Sequence, residues 1–141
     1  MKLLATYLTI IGLLALAESQ TTSIELKVSF LKMKADHYRS MAEVGSETTR
    51  AANIEKAQQS YQEGFDIAIA RLNAANPVRL ELVLDFSSFL FEIVNAPEIA
   101  RQMAKQAYDA AIEELASVNE GNYEESRRIV ELLKEKLALW Q

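Results

Sequence analysis

The chain has no cysteine. That excludes a disulfide framework and a thiolate zinc site, and it leaves the redox compartment open. His37 is the only histidine, and a lone histidine on a helix is more often a packed or surface residue than a catalyst. Proline occurs twice and glycine four times. No phosphate-cradling glycine loop, HExxH pair or nucleophile elbow is present, so no catalysis and no cofactor are expected. An excess of positive charge is lacking too. The formal net charge is -5, and binding to a phosphate backbone needs a basic surface. Nucleic acid is therefore not an expected partner.

What is there is material for helices. Alanine, leucine and glutamate dominate, all good helix formers. Half of the 141 residues are hydrophobic and a quarter are charged, as in an ordinary folded protein. That length suits one core. Two parts are expected: an apolar segment over residues 1–20 and a helical domain over residues 21–141. In the first, Lys2 precedes an apolar run from Leu3 to Ala17, which closes on small residues before Glu18. The pattern is that of a secretory signal, and equally of a short buried helix. It falls short of the roughly 20 apolar residues of a comfortable membrane span, so no membrane partner is expected.

Periodicity predicts five further helices. Ile24, Val28, Leu31, Ala35, Tyr38 and Ala42 fall at alternating steps of four and three, one face of an amphipathic helix. A second helix carries Ile54, Ala57, Tyr61, Phe65, Ala68 and Leu72. Asn76 caps a third, with Pro77 in its first position, where no amide partner is lost. This helix, from Leu80 to Val94, is apolar nearly all round and is expected at the centre. Pro97 opens a fourth, whose face is Ala100, Ala104, Ala107 and Ala111. The fifth carries Ile129, Leu133, Leu137 and Trp140. Short connections make successive helices antiparallel neighbours.

Two polar stripes stand out. Lys32, Asp36, Arg39 and Glu43 share one face of the first of these helices, and Glu81, Asp85, Ser88 and Glu92 share one face of the third. The plainest reading of the first stripe is a surface ladder of ion pairs. The second is the only polar stripe on an apolar helix, so that side faces water or a groove.

Three segments carry a family resemblance. Leu31 to Val44 (LKMKADHYRSMAEV) resembles the fifth helix of the 14-3-3 family. Asn76 to Glu98 (NPVRLELVLDFSSFLFEIVNAPE) is similar to its seventh helix, and Ser126 to Trp140 (SRRIVELLKEKLALW) to its ninth and last. The resemblance runs in register from about Glu25 to Trp140. It implies an all-α antiparallel array like the C-terminal five helices of a 14-3-3 domain, plus the apolar helix at the start. It also implies a cytoplasmic adaptor, the alternative being a secreted protein if residues 1–17 act as a signal. Its partners would be phosphoserine or phosphothreonine segments of other proteins.

By position, the resemblance makes Arg39 the arginine that grips the phosphate and Lys32 a groove lysine. Leu84, Ile129, Leu132 and Trp140 match apolar positions of the opposite wall, and Glu92 an acid beside the basic pocket. Five positions depart from the family pattern. Ser40 stands where the family has the tyrosine that shares the phosphate. Asp85 and Lys136 stand at two groove asparagines, Glu81 at a glycine and Ser88 at a valine. The family's first four helices, which bring the other phosphate-binding cations and the dimer interface, have no counterpart in the sequence. The expectations are weakened phosphate recognition, loss of the family-type homodimer, and bare apolar surface on the helix from Ile24 to Val44. A module that no longer recognises phosphate is the alternative.

Overall fold

A computed structural model describes residues 2–141, with only the backbone of Glu120; Met1, the first residue of the apolar segment, lies outside the described residues. The elements are α1 (Lys2–Gln20), α2 (Ile24–Val44), α3 (Glu47–Arg71), α4 (Pro77–Glu92), α5 (Pro97–Glu114), a short 3-10 turn (Leu115–Ser117) and α6 (Glu120–Leu139). The five helices read from periodicity are α2 to α6.

Local chemistry sets the helix ends. The Ser23 hydroxyl accepts the Leu26 amide at the start of α2, and Asn119 accepts that of Asn122 at the start of α6. Asn76 accepts from the amides of Val78 and Arg79, with Pro77 beside it as expected. These contacts supply partners for amides that a helix start leaves without one. After α4 the chain turns on Asn95, whose φ of 61° lies in the left-handed region. Asparagine tolerates that region better than most residues. The Ala96 amide then returns to the Leu90 carbonyl at 2.8 Å, and Pro97 opens α5.

Helix α4 is the hub, in contact with α2, α3, α5 and α6. Cross-helix partners give the directions. Glu25 meets Asn76 and Lys32 meets Asp85, so α2 and α4 run the same way. Ser126 meets the Ala75 carbonyl and Lys136 meets Glu92, so α6 follows them. α3 and α5 return between them. Leu80, Leu82, Val83, Phe86 and Phe89 of α4 are essentially inaccessible, and burying each such side chain stabilises by about 1.5–3 kcal/mol. Ala100, Ala104 and Ala111 are fully buried, a small-residue face that lets α5 pack closely. Tyr61 from α3 stacks on Phe86, with centroids 5.3 Å apart and planes at 15°.

Among the described residues α1 packs on α2. Ile11 is its buried residue, and Tyr7 meets His37 edge-on at 5.7 Å. The sequence placed bare apolar surface on α2 and expected the apolar segment, where retained, to fold back over it as a helix; α1 lies on α2 in that way. α1 covers part of α2, where Leu26 and Val44 stay exposed, and its own outer side carries Leu3, Leu8, Leu13 and Leu16, each at least 50% accessible. The cause is the composition of α1, which is apolar on both sides, so covering one helix leaves its own far side bare. By length and composition, α1 is the one helix among the described residues that is long and apolar enough to cross a membrane.

Candidate functional site

The two polar stripes come together. On α2, Lys32 and Arg39 are seven residues apart, and so are Asp85 and Glu92 on α4. Seven residues are two helical turns, about 10.5 Å at 1.5 Å per residue. Because α2 and α4 run in the same direction, equal spacing makes two ion pairs in register. Lys32 Nζ lies 3.1 Å from Asp85 Oδ2. Arg39 Nη2 lies 2.7 Å from Glu92 Oε2. The ladder expected within α2 is present as well. Lys32 Nζ is 3.1 Å from Asp36 Oδ2, and Arg39 Nε is 3.2 Å from Glu43 Oε1. α6 closes the far end, with Lys136 Nζ 3.7 Å from Glu92 Oε1.

Each cation is thus held between two carboxylates. Burial works against the charge on Lys32, but Asp36 and Asp85 outweigh it and its pKa is raised. Arg39 behaves likewise: burial opposes the charge, and the hydrogen bonds to Glu92 and Glu43 prevail. A guanidinium has five N–H donors and an ammonium three. The carboxylates engage two on each residue, so both cations keep donors for an incoming anion.

One member of the cluster was not read as such from sequence. Tyr61, identified only as part of an apolar face, donates its phenol to Asp36 Oδ1. Burial raises its pKa, and the neighbouring Asp36 carboxylate adds to this, so it stays a donor. Its signal was general: a buried tyrosine hydroxyl needs a partner. Which partner depends on how α3 crosses beneath α2.

The other candidates fall into two groups. The Ser40 hydroxyl donates to the Asp36 carbonyl one turn back, at 3.1 Å. Leu84 and Leu132 are half-buried. Ile129, Trp140 and Ser88 are buried, at 1%, 5% and 8% accessibility. The Trp140 ring lies flat on Phe91, 4.7 Å between centroids, and the Trp140 carbonyl accepts from Arg101 at 2.7 Å. Ile129 and Trp140 belong to the buried cluster. His37 stands apart from the cluster and donates from Nδ1 to the Met33 carbonyl at 2.7 Å.

Asp85 is the electrostatic outlier. Burial and then the nearby Asp36 push its carboxyl up to about 6, while Lys32 pulls the other way. Its ordinary value is about 3.9. Between these values the folded protein holds more protons than the unfolded chain, so this group's contribution to stability falls as pH rises from about 4 to about 6. Asp85→Asn should remove that dependence. The melting temperature of the variant relative to the parent should rise between pH 4.5 and pH 7.5. A pH-independent difference in calorimetry would contradict this environment for Asp85.

A family model described as "14-3-3 protein" matches residues 2–141. That match includes α1, which the sequence resemblance had left outside. The chain is 53% identical over 116 residues to 14-3-3-like protein 2 of Caenorhabditis elegans, covering 82% of this chain and 47% of that protein. It is 47% identical over 116 residues to 14-3-3 protein zeta of Bombyx mori, with 82% and 47% covered. With 14-3-3 protein theta of Mus musculus the identity is 45% over 122 residues, with 86% and 50% covered. The chain spans about half the length of the curated relatives it matches.

Proposed function

Because the chain belongs to the 14-3-3 family, we propose that it is a cytoplasmic, non-enzymatic adaptor holding phosphoserine or phosphothreonine segments of partner proteins between α2, α4 and α6. Arg39 is the principal phosphate ligand and Lys32 the second. Ser40, Leu84, Asp85, Ser88, Glu92, Ile129, Leu132, Lys136 and Trp140 form or back the peptide groove. The observation that carries this reading is the planar fork of Arg39, held between α2 and α4 with Nη2 2.7 Å from Glu92. A guanidinium in that setting suits phosphate oxygens two at a time, and arginine-based capture of phosphorylated segments is a recurring recognition mode.

The same geometry limits affinity. A phosphate must displace or share with Glu92 and Asp85, and Ser40 turns its hydroxyl to the backbone. Hydrogen bonds to charged groups contribute roughly 1.5–3 kcal/mol each. Two or three fewer such contacts move a micromolar complex, about 8 kcal/mol, toward millimolar. The test is a calorimetric titration with a phosphoserine peptide and its dephosphorylated twin. A preference for the phosphorylated form near millimolar is expected. Arg39→Ala should cut that preference about tenfold or more, in line with the loss of one such bond, and leave the twin unaffected. Ser40→Tyr combined with Asp85→Asn should tighten binding. Submicromolar binding by the unmodified chain, or an unchanged preference in Arg39→Ala, would sink the assignment.

A second reading has its own support. The cations are already paired with carboxylates of the same chain, as in an interaction module that has given up phosphate recognition. Equal affinity for both peptides would establish it.

A further inference from the structure

We propose that Asp85 determines when the groove accepts an anion: its carboxylate occupies the Lys32 ammonium as an internal anion, and Lys32 is released to an external one when Asp85 takes up a proton. The inference rests on the anion-binding reading of the groove and adds its regulation and its specificity-determining residue.

The cluster singles out Asp85 as the carboxylate that yields. Asp36 is anchored twice, with Oδ2 on Lys32 and Oδ1 receiving the Tyr61 phenol. Among the described residues Asp85 has one hydrogen-bond partner, Lys32, at 3.1 Å. Both carboxylates crowd a single ammonium, and like charges sharing a site raise one of the two pKa values. The group that rises is Asp85, to about 6, first through burial and then through Asp36. A neutral Asp85 gives Asp36 a hydrogen-bond donor in place of a repelling charge. It also frees one Lys32 donor and lowers the negative charge of the groove.

The surroundings do not supply a competing trigger. From α2, Lys32, Asp36 and Arg39 face the cluster. From α3 comes Tyr61, whose raised pKa keeps it neutral. On α4 itself Glu81 lies one turn before Asp85 and Glu92 two turns after. From α6, Lys136 reaches Glu92. α5 directs its charges elsewhere, Arg101 to Glu98 and the Trp140 carbonyl, Lys105 to Asp109. His37 lies outside the cluster, where it bonds the Met33 carbonyl at 2.7 Å and packs on Tyr7.

Apparent affinity scales with the fraction of protein in the competent state. With Asp85 titrating near 6, that fraction is small at pH 7.5 and the majority at pH 5.5. The probe is inorganic sulfate, a dianion that does not titrate in this window, whereas phosphate does. Binding to the full chain is read from NMR shifts of the Lys32 and Arg39 side-chain nitrogens. The expected result is tighter binding at pH 5.5 than at pH 7.5, by up to about twentyfold on this competent-state arithmetic. Asp85→Asn should bind tightly at both values, and His37→Gln should keep the parent profile. A flat parent profile, a slope that persists in Asp85→Asn, or a slope lost in His37→Gln overturns the proposal. The unsubstituted protein gives an independent reading through carbon NMR of the Asp85 carboxyl. Saturating sulfate should raise its titration midpoint, and an unmoved midpoint also overturns it. A sulfate slope without preference for a phosphorylated peptide leaves Asp85 as the gate and removes only the phosphopeptide reading. Phosphopeptide binding with a flat sulfate profile does the reverse.

Discussion

Phe86→Ala is expected to destabilise the protein by about 3–5 kcal/mol, the range for truncating a buried phenylalanine. The side chain is 1% accessible. It stacks on Tyr61 at 5.3 Å and takes the edge of Phe65 at 6.0 Å, so it joins α3 to α4 where the core is densest. Its loss removes the transfer free energy of the ring and leaves a cavity that the helices around it close only in part. Domains of this kind are stable by only about 5–15 kcal/mol, so a large share of the total disappears. The consequence reaches the groove, because Tyr61 also holds Asp36. Urea unfolding followed by circular dichroism measures the change. Leu139→Ala, at a residue 77% accessible, is the matched control and should stay within about 0.5 kcal/mol. A Phe86→Ala loss below 1 kcal/mol, about the size of a surface effect, would mean that α4 is not the centre of the core.

Removing the chain up to Ala17 is the other large perturbation. α1 covers α2 through Ile11 and its neighbours and adds the edge contact of Tyr7 with His37, while Glu18, 3.9 Å from Lys27, stays in the shortened chain. The ion pair is weak at that separation and partly exposed, so apolar burial dominates. Each large side chain lifted from α2 costs about 1.5–3 kcal/mol. In a domain of this size 1 kcal/mol shifts the melting temperature by roughly 2–8 °C. The shortened protein should therefore melt at least about 5 °C lower. It should also associate through the uncovered face of α2, as bare apolar patches do. Scanning calorimetry with sedimentation velocity reads both effects. An unchanged melting temperature would show that α1 does not dock. Expression in cells followed by mass spectrometry addresses the secreted alternative, which requires a mature chain beginning near Glu18.

Much of this protein is written locally. The alternating steps of four and three, the Asn76–Pro77 start, the Asn95–Pro97 turn and the alanine face of α5 are all readable along the chain, because caps, propensity and amphipathic period act over a few residues. The position of α4 at the hub follows from its being apolar nearly all round. The family is legible for the same reason, since three helix-length segments keep their order and spacing. The ladder within α2 is local too, as residues four apart on a helix must be neighbours.

Tertiary structure decided the rest. The sequence shows two polar stripes, an acidic one able to pair with Lys32 and Arg39 across a cleft, but not which acid meets which cation: Lys32 with Asp85 and Arg39 with Glu92. That requires α2 and α4 to run in the same direction at one fixed offset, which the intervening α3 imposes. The choice of Asp36 as the partner of Tyr61, and of Asp85 as the carboxylate left with a single donor, follows from how α3 crosses under the pair. Trp140 and Ile129 match groove-wall positions by the resemblance, and their burial, with Trp140 flat on Phe91, is a property of the packed chain. α1 adds four exposed leucines of its own while Leu26 stays exposed on α2, because a helix apolar on both sides can cover only one neighbour. Local pattern specifies which residues share a face. Only the packed chain specifies which faces meet, and the charge state of this groove depends on that meeting.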